Sequence, residues 1–187
     1  KAFKPLAYNL WIGVCAEIVA NIFRVTIHNN LYVMNVFMLL DFLTFVWMLD
    51  NWGAFTRFDR NFRKMVLTVF LLLWVTDNMV VHHLGENNIL FRICYSLFLV
   101  LVGINQFSTV MLKNNGYLST NPFLYITLGI IFYYTYSIFI GLFNSPFFEP
   151  STQLWKWNML IYVVVNVMTN ILFAISFLWI RKKVRYI

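Results

Sequence analysis

The chain has 187 residues, of which 61% are hydrophobic, 20% aromatic and only 11% charged, with mean hydropathy +0.71. A soluble domain of this length would need long polar stretches to cover its core, and none is present, so a soluble fold and a separate second domain are excluded. The net charge of +7 invites a nucleic-acid reading, but the basic residues gather in alternate gaps between apolar stretches, which marks membrane orientation and headgroup attraction instead. No nucleic-acid partner is expected.

A hydrocarbon core about 30 Å thick needs about 20 mostly apolar residues of helix to cross it. Six stretches qualify: residues 7–27, 31–50, 65–84, 89–112, 122–143 and 154–180. They predict an all-α, polytopic transmembrane bundle forming a single unit. The first span carries Glu17, Asn21, Arg24 and His28 at successive spacings of 4, 3 and 4, which at about 100° per residue share one face of the helix. That stripe is expected to look into the bundle. Glu17 and Arg24 are about 10 Å apart along the axis, so each needs a partner from elsewhere.

The second span holds Asn35 and, near mid-depth, Asp41; the third holds Asp77, Asn78, His82 and His83. Gaps at 28–30 and 85–88 are so short that the helices flanking each must be antiparallel neighbours. In the fourth span Arg92, Ser96, Gly103 and Gln106 share a face. Asn121-Pro122 opens the fifth as an N-cap followed by proline at the first helical position. The run Tyr133-Tyr134-Thr135-Tyr136-Ser137 reads as packing, because consecutive residues point to different faces. The sixth span contributes Lys156 and Asn158 near its start, then Asn166 and Asn170 near its middle. All four prolines lie outside span interiors, and Trp47, Trp52, Trp155, Trp157, Trp179 and Tyr186 mark span ends as interface anchors. Cys15 and Cys94 fall within spans, where a thiol acts as a small apolar group.

If the spans alternate, Lys1, Lys4, Arg57, Arg60, Arg63, Lys64, Lys113, Arg181, Lys182, Lys183 and Arg185 fall on one side, 11 of the 14 basic residues, and only Arg24, Arg92 and Lys156 on the other. Both ends of the chain are therefore expected in the cytoplasm. The chain begins with Lys rather than Met, which leaves room for a seventh helix before residue 1.

Ionisable groups inside a span are costly unless paired, so each is a candidate for function. Glu17, Asn21, Arg24, Asp41, Asp77, Arg92 and Asn166 are the expected lining of a polar pocket in the outer half of the bilayer, suited to a small polar or anionic ligand. The plainer reading is interhelical hydrogen bonding, and the two are compatible. A zinc site would need His28, one of His82 and His83, and Glu86; no histidine lies at mid-depth for haem, and no mid-span lysine for a retinal Schiff base. H-E-x-x-H, G-x-S-x-G and a glycine-rich phosphate loop are missing, and Asp41 and Asp77 differ in depth by about one turn, which disfavours an aspartyl pair. No metal, no cofactor and no catalytic residue are expected.

Asn30-Leu31-Tyr32 leading into Leu39-Leu40-Asp41-Phe42, Arg92, Asn121-Pro122-Phe123-Leu124-Tyr125-Ile126, Leu154-Trp155 and the terminal Arg181-Lys182-Lys183 resemble a group of small multi-pass inner-membrane proteins of Bacteroidota whose function is not established. That group more usually has Glu in place of Asp41 and Phe-Trp in place of Leu124-Tyr125. The resemblance implies a seven-helix type and a bacterial cytoplasmic membrane. Some members look like the membrane parts of sensory systems that feed histidine kinases. The expected function is a non-enzymatic membrane module, sensory or an accessory subunit. Its partners would be membrane lipids, other membrane subunits or a signalling protein at the cytoplasmic face. A small transporter or channel subunit, using Glu17, Asp41, Asn105 and Gln106, is the alternative, and an intramembrane enzyme the third. Cysteines placed at Asn61 and Ser151 are expected to react with impermeant maleimides from opposite sides of the membrane; labelling from one side overturns this topology.

Overall fold

The computed structural model describes residues 3–56, 61–113, 121–144 and 151–184. They form α1 (Lys4–Thr26), α2 (Leu31–Asn51), α3 (Phe62–Val75), a π-helical turn (Thr76–Val81), α4 (Ile89–Lys113), α5 (Pro122–Phe143) and α6 (Thr152–Val184), with no strand among the described residues. With the π turn continuing α3, six helical segments among the described residues are long and apolar enough to cross a membrane. The limits of α2, α4 and α5 fall within a residue of the expected spans. α1 starts earlier because Pro5 takes a first-turn position where no amide is needed. Asn121 caps α5 as expected, its side chain accepting the Phe123 N–H at 3.1 Å.

The third span differs from expectation. The sequence predicts one helical span over 65–84 that includes His82 and His83. The α-helix instead ends at Val75, passes through the π turn and leaves it at His82, whose backbone is extended (φ −126°, ψ −179°). The reason is lateral: buried Asp77 accepts the Phe91 N–H at the start of α4, and buried Asn78 accepts from the Asn88 side chain, both partners lying beyond the helix itself.

The chain divides into two compact units, residues 1–95 and 96–187. In the first, α1 packs on α2, with Gly13 against Phe37 and Tyr8 stacked on Trp47. Phe42 of α2 is fully buried and meets Phe70 of α3 (centroids 4.7 Å), Phe91 and Tyr95 of α4 (both 6.3 Å). One aromatic side chain thus joins three helices. An ion pair links Asp50 at the end of α2 to Arg63 at the start of α3.

In the second unit α5 packs along α6. Tyr136 donates to the backbone carbonyl of Asn158 at 2.9 Å, and the hydroxyls of Tyr133 and Tyr162 lie 3.1 Å apart. Gly129 is what permits the close approach: a Cβ there would stand 2.7 Å from the ring of buried Phe173. Without a hydrophobic drive between helices in lipid, such close packing and interhelical hydrogen bonds hold them together. Gly129→Ala is expected to destabilise the detergent-solubilised protein by roughly 1–3 kcal/mol. Adding Phe173→Leu should recover part of the loss, measured by thermal unfolding. An unchanged melting temperature would contradict this packing.

Candidate functional site

Polar side chains of the first unit gather where α2, the π turn, residues 82–88 and the start of α4 meet. Asn35 of α2 is buried and donates to the carbonyls of Leu84 and Glu86 at 2.8 and 2.9 Å, while its own carbonyl accepts from Trp74 Nε1 at 3.0 Å. Asn29 accepts the Leu31 N–H that opens α2 and donates to the Gly85 carbonyl, both within 2.9 Å. Gly85 rests against Tyr32 so closely that a Cβ would lie 2.7 Å from the ring. Asn88, fully buried, donates to Asn78 Oδ1 at 2.7 Å and to the His83 carbonyl at 3.2 Å. These amides do for residues 82–88 what water does for a surface loop: they satisfy carbonyls that belong to no helix.

Asp77 sits at the centre. It is fully buried, and Oδ2 accepts the Phe91 N–H at 2.8 Å, in the first turn of α4, while Oδ1 lies 3.2 Å from Nδ1 of half-exposed His82. The carboxylate of one segment therefore caps the helix of another. With Nδ1 directed to the carboxylate, the Nε2 of His82 is the ring nitrogen left for solvent or a ligand. Arg92, one residue beyond Phe91, is half-buried and directs Nε to the Met38 sulfur at 3.3 Å.

Asp41 lies elsewhere in the unit. It is buried and accepts from Asn9 Nδ2 at 2.8 Å; the same amide donates to the Thr44 hydroxyl, which in turn donates to the Asp41 carbonyl. This interhelical group ties α1 to α2.

The stripe of α1 takes a third position. Glu17, Asn21, Arg24 and His28 are exposed, whereas the buried residues of α1 include Leu6, Asn9 and Ala20. The expected inward stripe is thus displaced around the helix, because Gly13 and Asn9 make the closer contact with α2. Asn21 donates to the Glu17 carbonyl at 3.0 Å and accepts from Arg24 at 2.6 Å. His28 adopts a left-handed conformation (φ 59°) that ends α1 before the tight turn. In the second unit Asn166 is exposed and accepts from Asn170 at 3.2 Å; Asn105 is exposed and Gln106 buried.

The expected site residues therefore fall into separate groups: Asp77 with His82, Asp41 with Asn9, the Glu17–Asn21–Arg24 ladder, and Asn166 with Asn170. No three His, Cys, Asp or Glu side chains among the described residues, His28, His82, His83 and Glu86 included, are grouped as metal ligands would be. Sequence reasoning missed Asn9, Asn29, Asn88, Thr44 and Trp74. The asparagines flanking the two shortest gaps were the available signal, since a tight reversal leaves carbonyls that side-chain amides can satisfy. Comparison with known proteins found no matching family model, no matching curated protein and no matching solved structure. Asp77→Ala, which orphans the Phe91 N–H, is expected to destabilise the protein by about 2–3 kcal/mol, and Asp77→Asn by less. Equal melting temperatures for wild type and Asp77→Ala would remove Asp77 from this role.

Proposed function

We propose that this protein is a non-enzymatic integral membrane module that serves as an accessory subunit of a larger membrane assembly. It would lie in a bacterial cytoplasmic membrane with the end of α6 in the cytoplasm, as the side bias of its basic residues suggests. The observation that carries the reading is the ladder Glu17–Asn21–Arg24, exposed on a helix whose other exposed residues include Trp11, Val14, Ile18, Ile22 and Val25. A carboxylate at that depth is costly against lipid, and a neighbouring chain relieves the cost. Buried Asn35, Asp41 and Asp77 support the same reading, because their side chains are directed to backbone atoms and to neighbouring side chains, as befits a scaffold. Lipid headgroups are the partners of the exposed Lys4 and Lys64.

A sensory role draws on one observation, the half-exposed His82 held by buried Asp77, which leaves one ring nitrogen for a ligand. The two readings part on composition. Solubilised in mild detergent, the protein is expected to migrate above the 22.3 kDa of its own chain, after correction for bound detergent, with a companion chain in fixed ratio. A monodisperse protein alone contradicts the subunit role.

A further inference from the structure

We infer that the exposed face of α1 docks a transmembrane helix of a different polypeptide, one that carries a lysine or arginine level with Glu17. The inference rests on the subunit reading above and names the chemistry of the contact.

Depth makes Glu17 the deciding residue. It lies nine residues before Thr26 and thirteen after Lys4, about 13 and 20 Å along the axis from the two ends of α1. A glutamate side chain is too short to reach either interface from there. Arg24, in the last turn of α1, can extend to the headgroup layer, as long basic side chains do.

The local hydrogen bonds leave the carboxylate available. Asn21, one turn away, directs its donor to the Glu17 main-chain carbonyl and its acceptor to Arg24. The nearest cation on the same helix is therefore engaged at Asn21, and no hydrogen bond or ion pair reaches the Glu17 carboxylate among the described residues. A cation from a facing helix answers such a group better than a neutral donor, because charge pairing favours the ionised form in a low-dielectric setting.

A second copy does not fit. Two copies related by a two-fold axis along the membrane normal would set Glu17 against Glu17 and Arg24 against Arg24 at equal depth, like charges facing like. An antiparallel pair would match Glu17 with Arg24 in both directions, but it needs one copy inverted. The placement of 11 of the 14 basic residues on one side opposes inversion. The face calls for a different chain, with a basic group near mid-depth and an acceptor about 10 Å nearer the Arg24 end.

The test places p-benzoyl-phenylalanine at Ile18, beside Glu17, and at exposed Val163 of α6 as control, in the full chain in native membranes. Irradiation at position 18 should join one polypeptide, identified by mass spectrometry, whose helix bears a lysine or arginine level with Glu17. Glu17→Gln should lower that adduct at least tenfold, while Glu17→Lys combined with the partner's basic residue changed to Glu should restore it. Thermal unfolding of each variant confirms that the bundle remains folded. An adduct with a second copy, with another part of the same chain or with lipid overturns the inference, as does a partner helix lacking the basic residue, insensitivity to Glu17→Gln, or no adduct. If the native particle still contains a companion chain in any of those cases, the subunit reading stands and only this docking face falls.

Discussion

Between α3 and α4 residues 82–88 belong to no helix, and the backbone groups buried there need partners from side chains. Asp77 anchors this return. Its two oxygens take an amide of the first turn of α4 and the ring of His82, so the chain that leaves the helix early is held against the helix that follows. Around it Asn35, Asn29 and Asn88 bind the carbonyls of residues 83–86. The π turn belongs to the same solution, since it rotates Asp77 and Asn78 inward together.

The polar residues of the first unit then divide by what they answer to. Asp41 with Asn9, and Asp77 with the Phe91 amide, are enclosed within the unit and bind its helices to one another. Glu17, Asn21 and Arg24 remain on the outside. A ladder of that kind serves nothing in the packing of α1 on α2, which uses Asn9, Gly13 and Tyr8. This contrast between enclosed and exposed charge within one unit is what the proposed subunit role rests on.

The second unit works by different means. There the contact between α5 and α6 depends on shape, with Gly129 receiving Phe173, and on tyrosine hydroxyls reaching across to Tyr162 and Asn158. Thr169 and Ser176 of α6 are buried, and their hydroxyls meet no hydrogen-bond partner among the described residues.

The number of spans and most of their limits were legible in the amino-acid order, because lipid thickness sets a length and caps such as Asn121-Pro122 are local. The polar inventory of each helix was legible for the same reason, as was the shared face of Glu17, Asn21 and Arg24. Which way that face turns was not, because periodicity defines an angle around one helix without saying which neighbour approaches it. The partnerships of Asp41 with Asn9, Asn35 with residues 84 and 86, and Asp77 with Phe91 join positions 14 to 51 residues apart. They exist only once the helices have met, and with them came the early end of α3, decided by an amide on another helix rather than by the residues at the break.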